Sequence, residues 1–112
     1  MNLHQRDLVL LPVPFSNQTL QKVRPAIVIS NNEINSTTED VMLIPLTSVL
    51  KDAPYSVLLT IESLIEGKLP VASRARADKV FTAHKSLIQR KLGVVKLEIF
   101  EAIRQEVIKA IK

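Results

Sequence analysis

The sequence predicts a mainly β domain with helical additions (α+β), a small barrel closed by a C-terminal helix. Three observations carry that expectation. Short runs of β-branched and other apolar residues, punctuated by Pro, Asn and Asp, fill the first three-quarters of the chain. A single convincing amphipathic helix follows them. No internal repeat, linker or low-complexity tract interrupts residues 1–112, which therefore read as one domain, 46% hydrophobic. A chain of this size buries about two-thirds of the surface its unfolded form exposes.

The elements follow in order. Asp7 to Phe15 is a strand whose far end, with Pro12 and Pro14, is restricted to an edge or a bend. Ser16 to Gln21 is polar and turn-like, the composition of a mobile connecting loop. Arg24 to Ser30 reads as a central strand, and Asn31 or Asn32 then caps a short helix to about Asn35. Asp40 to Ser48 is a third strand, with Pro45 breaking its ladder near the end. Tyr55 to Thr60 and Ala72 to Thr82 are the fourth and fifth. Alternation along the fifth puts Arg74, Arg76 and Asp78 on one face and Ser73, Ala75, Ala77 and Lys79 on the other. Ser86 to Leu92 is expected to be a short helix with Gly93 as its C-cap. Lys96 to Ile111 is the closing helix, its apolar stripe formed by Leu97, Phe100, Ile103, Val107, Ala110 and Ile111. Core packing is the expected use of that stripe.

Composition removes several function classes. The chain has no cysteine, so disulfides, thiolate metal sites and Cys nucleophiles are excluded. Its two histidines, His4 and His84, are 80 residues apart with no companion at ligand spacing, which argues against a metal cofactor. There are two glycines, and no phosphate-binding Gly-rich loop, nucleophile elbow or zinc-binding helix motif. The N-terminal segment lacks the build of a signal peptide, and the longest uncharged apolar stretch, Val41 to Leu50, is too short to span a bilayer. A soluble, cytoplasmic protein is the expectation.

The formal net charge is +4, and the excess is concentrated. Between Lys68 and Lys91 lie seven basic residues and one acid, Asp78. Such a cluster is the footprint of a polyanion binder or, equally, a solvated basic face. The chain's few aromatics, one Tyr and three Phe, do not suggest a base-stacking platform. His84 follows a strand in a basic stretch, where solvation, helix capping and RNA contact all remain open.

What is left for chemistry is Arg24 opening one strand, Thr47 and Ser48 closing another, and Arg76 with Asp78. RNA can be cleaved through its own 2′-hydroxyl, which needs a proton acceptor, a donor for the leaving oxygen and positive charge on the phosphorane. An Arg fork matches phosphate oxygens, and a Thr hydroxyl can donate to one. The inventory is compatible with an RNase that works without histidine. Arg76 and Asp78 alone are equally compatible with a surface ion pair.

The same residues carry a family resemblance. Asp7-Leu-Val-Leu-Leu-Pro-Val-Pro-Phe15, then Lys22-Val-Arg-Pro-Ala-Ile-Val-Ile-Ser-Asn31, then Ile44-Pro-Leu-Thr-Ser48 resemble the MazF/PemK toxins in order and spacing. Ala77-Asp-Lys-Val-Phe-Thr82 falls where that family commonly has Asp-Gln-hydrophobic-Arg-Thr, and Lys91-Leu-Gly93 with the closing helix resembles its C-terminal end. The resemblance implies an SH3-like barrel, a homodimer, cleavage of single-stranded mRNA without a cofactor, and an antitoxin whose disordered tail lies across the RNA groove. It implies catalytic roles for Arg24 and Thr47, or for the Arg76/Asp78 pair, with Ser48 in support; RNA contacts are expected from Lys22 and Ser48 and, in the basic cluster, from Arg74, Lys79 and Lys85. Three departures stand out: Arg6 in place of the Gly before Asp7, Lys79 in place of Gln, and Phe81 in place of Arg. Two other readings are a CcdB-like toxin that binds DNA gyrase through its C-terminal helix, and a relative that binds RNA or antitoxin without cutting.

Overall fold

The computed structural model describes residues 1–14 and 21–112. The expected end of the first strand at Phe15 and the polar connection from Ser16 to Leu20 lie outside the described residues. β1 (Asp7–Pro14) and β2 (Gln21–Val28) pair antiparallel, with Leu8 opposite Ile27 and Pro14 opposite Gln21. Asn31 caps α1 (Asn32–Thr37) by accepting the Ile34 N–H at 2.9 Å. Then come β3 (Asp40–Thr47), β4 (Ser56–Leu59), β5 (Leu64–Gly67), β6 (Ser73–Arg76), β7 (Phe81–His84) and β8 (Arg90–Val95), with α2 (Leu97–Ala110) closing the chain. The strands form one antiparallel sheet in the order β4-β6-β3-β2-β1-β8-β5, and β7 pairs with the first half of β3. The result is a mainly antiparallel β half-barrel with a C-terminal helix, the expected class.

Strand alternation gives the sheet two apolar faces. Val9, Leu11 and Val13 of β1, Ala26 and Val28 of β2, and Val41 and Leu43 of β3 pack in one core with Leu3, Ala83 and Ile88. Leu8, Ile27, Ile44, Leu46, Leu59, Ala75 and Val95 point the other way and pack with Ile103 of α2. Phe100 and Ile103 are the buried residues of that helix, with Ile99 and Val107 packed beside them. Leu97 and Ile111, expected in the same stripe, are exposed, as is Ala110. The stripe is therefore narrower than the sequence suggests, because the helix meets the sheet along one seam only.

Backbone direction explains where the ladders stop. The Ile29 N–H donates to the Met42 carbonyl at 2.9 Å, so Met42 and Ile44 face β2. By alternation, Val41, Leu43, Pro45 and Thr47 present their backbone groups to the opposite neighbour. On that side Asp40 to Leu43 pair with β7, whereas Leu46 and Thr47 pair with β6. Pro45 sits at the change, where its missing N–H leaves no donor. The same reasoning applies to β1. The Gln89 N–H donates to the Leu10 carbonyl, so Leu10, Pro12 and Pro14 face β8, and pairing with β8 ends at Leu10. The far end of β1 is thus an edge on one side, as its prolines require.

Two expected elements differ. The fifth strand is two strands, β6 and β7, separated by a turn closed by the Lys79 N–H to the Arg76 carbonyl at 3.1 Å. It breaks opposite Pro45, which cannot hold a continuous partner. The expected helix from Ser86 to Leu92 is a single 3-10 turn at Lys85–Leu87 followed by β8, and Gly93 lies inside that strand. A Cβ at Gly93 would collide with the Glu66 carbonyl oxygen of β5. The glycine permits close strand approach and caps no helix.

Arg6 occupies a backbone conformation suited to glycine. Its φ is +84°, and it joins three strands: its N–H donates to the Val28 carbonyl and its carbonyl accepts from the Val95 N–H, both at 2.9 Å. Its Nη1 also reaches the Val95 carbonyl at 3.3 Å. A left-handed conformation costs an L-residue about 1–2 kcal/mol. Arg6→Gly is expected to be about 1 kcal/mol more stable than Arg6→Ala in urea unfolding, since both lose the guanidinium and only glycine relieves the backbone. Equal midpoints for the two variants would show that the turn carries no strain.

Candidate active site

The face that forms the first core runs on past its apolar residues into a cluster of polar ones. Along β2 the inward series Val28, Ala26 continues to Arg24; along β3 the series Val41, Leu43 continues through Pro45 to Thr47. The β2–β3 register, Val28 opposite Leu43 and Ala26 opposite Pro45, would set Arg24 opposite Thr47 if continued by two residues. The ladder ends at Ala26, next to Pro25, whose backbone faces β3 and has no N–H to give. A cavity of about 160 Å³ lies at this point, lined by Val13, Pro14, Arg24, Pro45, Leu46, Thr47, Arg76 and Lys79.

A second cavity of about 320 Å³ adjoins it, and Thr47 and Arg76 line both. Its other walls are Arg74 and the β3–β4 connection, with Val49, Lys51, Asp52, Ala53 and Pro54. Together the two form a groove across the ends of β2, β3 and β6. Arg74 stands opposite Thr47 in the β3–β6 register. Thr47 Oγ1 accepts the Val49 N–H at 3.2 Å. Arg74 is well covered, its side chain 14% exposed, and is held on all three nitrogens: Nε by the Leu50 carbonyl at 3.2 Å, Nη1 by Ser56 Oγ at 3.2 Å and Nη2 by Asp52 at 3.3 Å.

Arg76 and Asp78 form a two-pronged pair, Nε to Oδ1 at 3.2 Å and Nη2 to Oδ2 at 3.0 Å. Both side chains are 30% exposed, so the pair sits at the rim of the groove. The turn after β6 folds Asp78 back onto Arg76 and carries Lys79 into the same cavity, whereas an unbroken strand would have sent Lys79 to the opposite face.

The structure thus brings together Arg24, Thr47, Arg74, Arg76, Asp78 and Lys79. Ser48 is exposed immediately after Thr47, and Lys22 is exposed two residues before Arg24 on β2. Lys85 is elsewhere: its N–H donates to the Glu39 carbonyl, and it lines a separate cavity with His4 and Asn35. That is the far end of β3, roughly 24 Å of strand from Thr47. His84 caps the 3-10 turn, its Nδ1 accepting the Ser86 N–H at 3.1 Å. Among the described residues, no three His, Cys, Asp or Glu side chains form a set able to hold a metal ion, and no helix is long and apolar enough to cross a membrane. Sequence reasoning missed the β3–β4 connection as a wall of the groove. Its signal was modest: Asp52 and Pro54 between two strand patterns mark a turn, not a site.

The model of the family described as PemK-like, MazF-like toxin of type II toxin–antitoxin system matches residues 4–111. Among solved structures, a chain of the MazE–MazF complex from Deinococcus radiodurans (form III) is similar with a TM-score of 0.79 and 22% identity, over 99% of this chain and 97% of that one. An endoribonuclease from a mycobacterial species gives 0.79 and 20%, over 99% and 92%. An endoribonuclease in complex with its cognate antitoxin, also mycobacterial, gives 0.76 and 20%, over 97% and 94%. At these identities the likeness speaks to the fold. No curated protein sequence is significantly similar to the chain.

The separation of Lys79 from Lys85 has a measurable consequence. Lys79→Ala is expected to lower the slope of log affinity for single-stranded RNA against log salt by about 0.7, one phosphate contact. Lys85→Ala is expected to leave that slope unchanged. Equal losses in the two variants would mean that the polyanion follows the whole basic face and not the groove.

Proposed function

This chain belongs to the PemK-like, MazF-like toxins of type II toxin–antitoxin systems, and on that footing we propose that it cleaves single-stranded mRNA at short sequences, without a metal, by attack of the RNA's own 2′-hydroxyl. The observation that carries the proposal is the convergence of Arg24, Thr47, Arg76 and Lys79 on one cavity at the end of the sheet. Those side chains meet the needs of a phosphorane: a planar cation for two non-bridging oxygens, a hydroxyl donor, and further positive charge nearby.

Arg24 holds the scissile phosphate. A guanidinium is not deprotonated in proteins, so its part is charge stabilisation and geometry, not general base catalysis. Thr47 donates its hydroxyl to a phosphorane oxygen; with Oγ1 already accepting from Val49 N–H, its own hydrogen remains to be given. Asp78, oriented by Arg76, takes the 2′-hydroxyl proton as the 2′-oxygen bonds to phosphorus. The bond from phosphorus to the 5′-oxygen breaks, Arg76 stabilises the departing oxygen, and water supplies its proton. The products are a 2′,3′-cyclic phosphate and a 5′-hydroxyl. The working unit is a homodimer, and a cognate antitoxin blocks the groove with a disordered tail. Related chains crystallised with MazE or a cognate antitoxin support that partner.

RNA with 2′-deoxy substitution at the cleaved position is expected to bind and resist cutting, while cleavage of unmodified RNA persists in excess EDTA. Activity lost in EDTA and restored by a divalent ion would overturn the mechanism. Arg24→Ala and Arg24→Lys are both expected to abolish cleavage with folding preserved, because a point charge cannot reproduce the fork. Thr47→Ala is expected to cost on the order of 10²–10³ in rate, the scale of one lost oxyanion donor. Asp78→Asn is expected to give a large rate loss. Near-normal cleavage by that variant would reduce Arg76 and Asp78 to a structural pair and leave the chemistry to Arg24 and Thr47.

A further inference from the structure

We propose that Arg74 is a positioning residue, which orients the Thr47 hydroxyl by latching the β3–β4 connection against β6. The inference rests on the RNA-cleaving reading of the groove for its consequence, and on geometry alone for its mechanism. Arg74 lies in the basic cluster and resembles a phosphate contact in the sequence. In the fold each nitrogen of its guanidinium already has a partner. Nε and Nη2 engage the Leu50 carbonyl and Asp52 on the connection, and Nη1 engages Ser56 Oγ where β4 begins. A phosphate bound there would have only the two remaining N–H groups, one on each terminal nitrogen.

The latch is continuous with the catalytic hydroxyl. Leu50, held through its carbonyl, directly follows Val49, and the Val49 N–H donates to Thr47 Oγ1 at 3.2 Å. Fixing Leu50 therefore fixes the donor that sets the rotation of the Thr47 side chain. Further along, Ser56 Oγ donates to the Ala53 carbonyl at 2.6 Å, and the Tyr55 carbonyl accepts from the Ala77 N–H at 2.9 Å. Tyr55 itself has a φ of +58°, a conformation that needs such support in a non-glycine residue. The connection is exposed and carries little core of its own: Val49 is 64% exposed, and the Asp52 side chain 91%. Polar bonds hold it, and one arginine supplies three of them. Only a planar group with donors on three edges can reach three such acceptors at once, so lysine is a poor substitute.

The test compares wild type with Arg74→Ala, Arg74→Lys, Thr47→Ala and the Arg74→Ala/Thr47→Ala double variant. Three quantities are read: the single-turnover rate at saturating RNA, the salt slope of affinity for uncleavable 2′-deoxy-substituted RNA, and amide hydrogen exchange at Val49 without RNA. Both Arg74 variants are expected to lose on the order of 10- to 100-fold in saturated rate, the scale of a misplaced catalytic group. The salt slope stays at the wild-type value, Val49 exchange accelerates, and Arg74→Ala adds no further loss once Thr47 is gone. A slope reduced by about 0.7 with an unchanged saturated rate would make Arg74 a phosphate contact and overturn the proposal. Rescue by lysine, or additive losses in the double variant, would overturn it too. Should Arg74→Ala fail to fold, Arg74→Lys carries the rate, slope and exchange readouts. Should the wild type cleave no RNA, the proposed function fails by itself, and Val49 exchange in the Arg74 variants still decides whether the latch exists.

Discussion

The groove exists because four prolines withhold backbone donors at one end of the sheet. Pro12 and Pro14 face β8 and end its pairing with β1; Pro25 faces β3 next to the end of the β2–β3 ladder; Pro45 faces β7 and β6 where β3 changes partner. A strand can continue against a neighbour only while N–H groups are supplied to it. Where they stop, polar side chains replace the second strand as the neighbour. That is where Arg24, Thr47, Arg76 and Lys79 stand. Pro45 has a further effect through its partner. By preventing an unbroken β6–β7 strand, it allows the turn that returns Asp78 to Arg76 and brings Lys79 into the cavity.

Charge in the groove is not the simple excess that a linear count suggests. Of the seven basic residues between Lys68 and Lys91, Arg74 pairs with Asp52 and Lys91 with Asp7, two acids from outside that segment, and Arg76 pairs with Asp78 within it. Asp7 is 1% exposed, and it also accepts the His4 N–H at 2.8 Å. A carboxylate so deeply buried needs a cation and hydrogen bonds, so Lys91 belongs to the architecture of β1 and β8. Cross-strand partners turn part of a basic cluster into scaffold and leave a shorter track for a polyanion.

This separates what the sequence discloses from what it does not. The C-terminal helix, the cap at Asn31, the first four strands and the effects of Pro12, Pro14 and Pro45 were legible, because each depends on a periodicity or a missing atom within a few residues. Arg24 and Thr47 were legible as candidates, being polar groups at strand ends in a chain with few others, and the fold brings both to one cavity. β5 and β8 were not. Their pairing is between residues 26 to 31 positions apart, and Gly93 signals a helix end until Glu66 is seen against it. Nor was the role of Arg74, since Leu50, Asp52 and Ser56 meet it only after β3, β4 and β6 have paired.

The departures from the family pattern become interpretable on this framework. Arg6 holds a left-handed turn that favours glycine, and its strand-joining hydrogen bonds and guanidinium contact offset the strain. Lys79 and Phe81 work as a pair of changes around one break. Phe81, where an arginine is common, packs half-buried against the first core and pairs with Leu43. An arginine there would have to carry its charge away from an apolar neighbourhood. Lys79, two residues earlier and on the turn, supplies a cation to the groove instead. The turn thus supplies a cation to the groove while the strand position is spent on packing, and both follow from the break opposite Pro45 that separates β6 from β7.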